Sequence, residues 1–301
     1  MEHKIDVLVI SYVRPKELSK LLFQLSECSE YLGNVYVWVN QGSDERTKAL
    51  SQKCVNVVYG NSLLSSQVVR PTGHLPVYTS IPSALDYFFN KCPHGLVLED
   101  DCIPNANFIS FLCNIKKDLL SGSLICGSNS LNNYLDTSSR CAELRYAKIF
   151  QVWGWYGNKK IWRSFRDNYM AEIEGKSFLY YFKVLRGRGF KLLFSIDFAA
   201  KVYLAKKNIL KTWDYQFCFY LIKCNYKSFV PDRNLVNNIG FNRDANNTFY
   251  QPRGYSYSES SSETMINILD DDYVEFDKKY QQVGFVRVVK TFLRFFLYFG
   301  R

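Results

Sequence analysis

Histidine is scarce in this 301-residue chain: only His3, His74 and His94 occur, and none follows His94. A multi-histidine metal site is therefore not expected. No Cys-x-x-Cys occurs among the nine cysteines, and the count is odd, which speaks against a disulfide framework and a structural zinc ribbon. Scattered thiols suit a reducing cytosol, where the Asn246-Asn247-Thr248 sequon carries no glycan. No stretch reaches the ~18–20 apolar residues of a membrane span. The first apolar run, Ile5 to Tyr12, is short, is interrupted by Asp6 and has no small-residue cleavage site after it, so it does not read as a signal peptide.

What is present supports a folded core. Hydrophobic residues make up 47% and aromatics 17%, a composition that excludes disorder, collagen and coiled coil. A chain of this length buries roughly three quarters of its unfolded surface. Against 28 Asp+Glu stand 38 Lys+Arg, a net charge of +10. Such a balance points to an anionic partner: nucleic acid, a membrane or a phosphorylated substrate.

Asp6 to Tyr12 is nearly continuous in apolar residues and reads as a strand of a parallel sheet, buried on both faces. Pro15 suits a first helical position, and Leu18, Leu21, Leu22 and Leu25 come after it at helical spacing. Val35 to Val39 reads as a second strand, stopped by the turn residues Asn40 to Asp44. A helix over 45–53 and a third strand over 55–59 are expected next, then a helix opening near Ser80 and Pro82. Leu96 to Leu98 is a fourth strand, ending in Glu99-Asp100-Asp101. This alternation predicts an open α/β sheet, whose ligands bind beyond the carboxyl ends of the strands. In the second half, helices are expected from Asn158, over 177–186 and from Thr212 to about Cys224, with a strand over 190–197.

Three adjacent carboxylates at a strand end repel one another, so they need a cation, a hydrogen-bond cage or solvent. A solvated acidic turn before Pro104 is one reading. The other is a site for Mg²⁺ or Mn²⁺, hard cations that take carboxylate oxygens and share their shell with substrate phosphates.

Leu98-Glu99-Asp100-Asp101-Cys102-Ile103-Pro104 resembles the Glu-Asp-Asp form of the aspartate motif in GT-A glycosyltransferases, above all bacterial nucleotide-sugar transferases of surface-polysaccharide synthesis. Trp153-Gly154-Trp155 with Lys159, Trp162 and Phe165 resembles that group's Gly-Trp-Gly-Trp-x-x-Trp segment. Thr212-Trp213-Asp214-Tyr215-Gln216, then Pro231 and Asn234 to Phe241, resembles its Trp-Asp-Tyr block and Asn-rich stretch. The resemblance covers roughly residues 4 to 248. It implies a Rossmann-like GT-A fold, with a donor half over about 1–125 and an acceptor half over about 126–248.

The resemblance also implies roles. Asp101 would ligate Mn²⁺ or Mg²⁺. Glu99 and Asp100 would approach the ribose and base of a UDP-sugar donor, and Ser11, Tyr12 and Arg14 would line the uracil pocket. Asn40 stands where such enzymes often carry a base-reading Asp. Asp214 would be the general base of an inverting transfer, although a helix N-cap is the competing reading. Arg70 or Arg14 would meet the diphosphate, unless each is a plain surface charge. Trp153 and Trp155 would stack on a sugar unless they pack in the core, and Asn237 and Asn238 would bond sugar hydroxyls unless they shape a turn. The late histidine that many GT-A enzymes give the metal has no counterpart, so the shell would rest on Asp101, diphosphate and water.

Residues 249–284 read as a polar, acidic linker. Its Asp270-Asp271-Asp272 run reads as a solvated face, or as a holder for the basic tail when no membrane is present. Residues 285–301, that tail, carry Arg287, Lys290, Arg294 and Arg301 and no acid. At ~100° per residue these four fall within about 60° of one another, opposite an aromatic face. That pattern predicts an amphipathic helix lying on an anionic membrane; a helix docked on its own domain or on a dimer partner is the competing reading. Together these readings predict a cytoplasmic enzyme, peripheral on the inner face of the plasma membrane, acting on a lipid-linked glycan. A sugar nucleotidyltransferase usually has a Gly-rich loop after the first strand, which Ser11 to Pro15 lacks. Nucleic acid is not an expected partner, because no RNA or DNA motif appears and the tail is hydrophobic as well as basic. An inactive membrane-bound scaffold of this fold is opposed by the presence of Asp101 and Asp214.

Overall fold

The computed structural model describes residues 4–115, 123–129, 141–241, 265–272, 274–282, 288–291 and 293. At its centre is β1 (Ile5–Ser11), whose Val7, Leu8 and Val9 are fully buried because helices cover both sheet faces. Around it run α1 (Pro15–Ser26), β2 (Leu32–Val39), α2 (Glu45–Gly60), β3 (Ser66–Val69), α3 (Val77–Lys91), β4 (His94–Glu99), β5 (Cys102–Pro104) and α4 (Ala106–Asn114). The second half contributes β6 (Ser123–Cys126), β7 (Cys141–Ala147), β8 (Trp155–Asn158), α5 (Lys159–Tyr169), α6 (Phe178–Gly187), α7 (Leu192–Lys206) and α8 (Asp214–Lys223). It continues with β9 (Lys227–Pro231), β10 (Val236–Asn238), β11 (Met265–Asp272) and α9 (Val274–Tyr280).

Nine strands form one mixed sheet in the order β11-β7-β9-β6-β8-β4-β1-β2-β3. The half from β4 to β3 is all parallel. Strand β8 enters antiparallel between β4 and β6 and joins the two halves. A second, two-stranded sheet pairs β5 with β10. The α/β class read from the alternating pattern is the observed one. The parallel half brings the carboxyl ends of β1, β2 and β4 to one edge, where the chain must leave the sheet and where its side chains are free to meet a ligand.

Three segments differ from expectation. Residues 55–59, rich in β-branched side chains, continue α2, because Ser51, Cys54, Val55 and Val58 fall at helical spacing on its buried side. The third strand is β3 instead. The strand expected over 190–197 is absent: all but its first two residues belong to α7, where Phe194 and Phe198, one turn apart, stack at 5.3 Å. Residues 265–272, within the stretch read as linker, are the edge strand β11, parallel to β7. There Asp271 lies 3.7 Å from Arg145 and Asp272 2.7 Å from Lys227. Residues 249–264 of that stretch lie outside the described residues. So does the predicted helix over 285–301, apart from 288–291 and 293.

The core of the second half is aromatic. Trp155, Trp162, Trp213 and Phe217 pack against one another and Phe89 with ring centroids 5.4–6.5 Å apart. No helix among the described residues is long and apolar enough to cross a membrane.

Candidate active site

The carboxyl ends of β1 and β4 are stitched together by Asp100. Its backbone N–H donates to Ile10 O (3.0 Å), and its carboxylate accepts from Ser11 Oγ (2.9 Å) and Tyr12 N (3.3 Å). Beside it, Asp101 accepts from Arg14, whose guanidinium also lies 3.6 Å from Asp100. The peptide N–H of Ile239 donates to Asp101 O (2.8 Å), and Asn238 Oδ1 accepts from Gly240 N (2.8 Å), so the chain after β10 lies against Asp101. A Cβ on Gly240 would stand 1.9 Å from Asp101 Oδ2, so only glycine fits this close approach.

These residues line a cavity of about 550 Å³ that also receives Asn40, His74, Leu75, Glu99, Trp153, Lys211, Thr212, Asp214 and Phe241. Its electrostatics are uneven. Asp100 and Asp101 are buried, and Glu99 is half-buried. Desolvation, with Asp101 and Asp100 adjacent, pushes Glu99 up to about 8, and Asp214 adds to the repulsion. Asp100 is pushed up to about 7 by the same desolvation and by Asp101, with Arg14, Ser11 and Tyr12 opposing. Burial works against the Arg14 charge, but Asp101 and Asp100 outweigh it and hold the guanidinium protonated.

Asp214 opens α8 and lines the same cavity. The N-cap of that helix is Trp213, so the carboxylate stands at the first helical position rather than capping. Thr212 Oγ1 donates to it. Burial raises its pKa, while Thr212 and the backbone N–H groups of Asp214 and Tyr215 pull the other way. A carboxylate in such a place is a stronger base than one in water and stays ready to take a proton.

Most of the residues expected at the site converge on this cavity: Ser11, Tyr12, Arg14, Asn40, Glu99, Asp100, Asp101, Trp153, Asp214 and Asn238. Asn40 does so as a brace. It donates to Leu75 O (2.7 Å) and accepts from Leu75 N (3.1 Å), fixing the wall that bears His74. Three residues stand elsewhere. Trp155 is 2% exposed in the aromatic core, where it cannot stack on a sugar. Arg70, itself exposed, bonds Gln52 and Ser51 of α2 rather than entering the cavity. Asn237 points away from the cavity wall, as alternation along β10 requires, and pairs across with Ile103. Sequence reasoning does not single out His74, 5.7 Å from the Tyr12 ring, or Lys211, since neither belongs to a motif. Their only signal is position: one precedes α3, the other precedes the Thr-Trp-Asp block.

The donor set fits a hard divalent cation in kind, being all carboxylate oxygen, and Arg14 already stands among these groups as a cation. Among the described residues, no group of three or more His, Cys, Asp or Glu is placed to hold a metal by itself. A bound metal would thus take Asp101 and complete its shell from outside the chain.

No protein-family model matches the chain, and no curated protein does. Solved structures of similar fold include a mannosyltransferase from Pyrobaculum calidifontis in complex with GDP-Man and Mn²⁺ (10% identity, TM-score 0.38, covering 54% of this chain and 46% of that one). Another is the glycosyltransferase GlyE of Streptococcus pneumoniae (12%, TM-score 0.35, 97% of this chain and 64% of that one). A third is HddC from Yersinia pseudotuberculosis (11%, TM-score 0.32, 53% and 79%). The chain thus spans less than half of the mannosyltransferase and under two thirds of GlyE. The functional reading rests on the cavity.

Proposed function

We propose that this chain is a GT-A glycosyltransferase that moves a sugar from a nucleotide diphosphate donor, UDP-linked in the first instance, to a lipid-linked glycan of surface-polysaccharide synthesis, with inversion. The observation that carries the reading is that Asp214 and the Glu99-Asp100-Asp101 trio, more than a hundred positions apart, face one cavity at the carboxyl edge of a parallel half-sheet. Each of the motif segments quoted above contributes residues that line it.

In this reading Ser11, Tyr12 and the Asn40-braced wall receive the nucleoside, and Arg14 turns toward the diphosphate. Asp101 would hold Mn²⁺ or Mg²⁺, which when bound neutralises charge on the leaving diphosphate. The Asp214 carboxylate takes the proton of the acceptor hydroxyl. The freed oxygen forms its bond to the anomeric carbon as the bond from that carbon to the diphosphate oxygen breaks, and the nucleoside diphosphate leaves with the electron pair. Trp153, beside Phe241 at 5.5 Å, offers a ring to the sugar, and Asn238 shapes the turn below it. The enzyme would work on the cytoplasmic face of the plasma membrane, held there by the basic segment 285–301.

A thermal-shift panel of nucleoside diphosphates and their sugars, with and without Mn²⁺, tests the donor site. A ligand at 100 times its Kd adds about 2.7 kcal/mol of stability. A shift with one nucleotide supports the reading and names the base; no shift with any of them overturns it. Release of nucleoside triphosphate on adding pyrophosphate to a sugar nucleotide would instead identify a nucleotidyltransferase.

A further inference from the structure

One segment of the chain is rich in cations, although Lys211 lines the cavity, Lys206 is buried and Lys201 is paired with Asp197. Residues 176–211 contain nine of the 38 Lys+Arg and one of the 28 Asp+Glu, a local net charge of +8. That one acid, Asp197, is 2% exposed and already engaged by Lys201 Nζ at 2.5 Å and Thr291 Oγ1 at 2.7 Å. The turn between α6 and α7 is exposed apart from Phe190. Lys183, Arg186, Arg188 and Lys191 are all exposed there, and none pairs with a carboxylate among the described residues. Arg186 and Arg188 instead donate to the carbonyl oxygens of Phe190 and Lys223, which holds both cations in place without neutralising them.

Apolar side chains stand among these charges. Leu179 is 53% exposed, Leu192 53% and Leu193 38%. The same edge receives residues 281 and 291. Gln281 Oε1 accepts from Lys191 N (2.8 Å) at the start of α7, and Thr291 meets Asp197 in the next turn. Val288 and Thr291 face inward, leaving Val289 and Leu293 outward. The docked helix and the membrane-facing helix, read from sequence as rivals, are thus compatible: one side meets α7 and another is open.

We infer that the α6–α7 turn, together with residues 288–291 docked on α7, is a surface that seats the protein on an anionic lipid bilayer. The cations match the negative surface, and the leucines enter the acyl boundary. Nucleic acid would use the cations but would leave Leu179, Leu192 and Leu193 without a role. The inference rests on the membrane part of the proposed function and enlarges it: the tail is one component of a surface that has four more exposed cations on the folded body.

Vesicle flotation of the full chain tests it, using phosphatidylcholine vesicles with and without phosphatidylglycerol. Wild type should float only with the anionic vesicles, and salt should weaken the association. Lys183→Glu with Lys191→Glu should lower the partition coefficient at least about tenfold, since each cation near such a surface favours binding several-fold. Leu192→Ser with Leu193→Ser should lower it at unchanged net charge. Overturning results are wild-type flotation by the charge variant, no flotation of the wild type, or tighter binding to an RNA duplex than to the vesicles. Melting curves with and without nucleotide serve as the separate readout. A nucleotide shift that survives a failed flotation sinks this surface and leaves the donor site standing, and a flotation that succeeds without any nucleotide shift does the reverse.

Discussion

Arg14 and Asp101 form an ion pair across 87 positions of sequence, with Asp100 3.6 Å from the same guanidinium. The acidic end of β4 therefore carries its own counterion, delivered by the loop after β1. Removing one partner of a buried pair strands the other, at a cost of about 3–5 kcal/mol. Arg14→Ala should lose stability of that order in urea melts near neutral pH, and Mn²⁺ should restore part of the loss. A change under about 0.5 kcal/mol would mean that the carboxylates do not need the arginine.

The carboxylates predict a pH slope. Folding raises Glu99 to about 8 and Asp100 to about 7, by desolvation and mutual repulsion, from ordinary values near 4. The folded state then holds more protons than the unfolded one between about pH 4 and pH 8, so stability falls as pH rises through that window. Glu99→Gln should flatten the slope and be the more stable protein at its alkaline end, without ligand present. Melts that show a rising or flat wild-type profile would contradict the placement of these groups.

Asp214→Asn keeps the shape of the side chain and removes its basicity. Transfer should fall by roughly 10²–10⁴-fold, while the nucleotide-dependent thermal shift stays at the wild-type value. Asp101→Asn should instead reduce both the metal-dependent shift and turnover. Equal behaviour of the two variants would refute the division of roles between the cavity walls.

Gly240→Ala tests the packing of the chain after β10 on Asp101. The added methyl group cannot share the position of Asp101 Oδ2, so the carboxylate must move. Donor turnover should drop at least about tenfold, with a stability loss of about 1–3 kcal/mol, the usual cost of overpacking. Wild-type kinetics in this variant would show that Asp101 need not keep its place.

Much of this site is legible in the sequence itself. The apolar run of β1, the acids ending β4 and the opening of α8 at Asp214 are local signals, and Asn158 indeed caps α5 by accepting from Ile161 N. What escapes such a reading is decided by packing. Residues 55–59 have β-branched side chains but lie on a helix, because the apolar face begun by Ser51 continues through them. Residues 192–197 open a helix that from Phe194 onward is buried on nearly every side, which leaves no amphipathic rhythm to read. Trp153 and Trp155, two positions apart, divide between cavity and core because Trp155 enters β8 while Trp153 precedes the turn at Gly154, whose φ is +70°. Tertiary contacts, not residue type, also separate Arg14 in the cavity from Arg70 outside it.

Finally, the edge strand β11 sets an order of events. Strands β1 to β4 are complete once residue 99 is made, and among the described residues they pair only with one another and β8. On the other flank, β7 gains its parallel neighbour only with residues 265–272, Lys148 N meets Asp277 in α9, and Asp197 waits for Thr291. During synthesis the amino-terminal half can settle while the carboxyl-terminal half is still missing these late partners. A ribosome paused near residue 240 should hold a nascent chain with a protease-resistant amino-terminal half and a carboxyl-terminal half that is still readily cleaved.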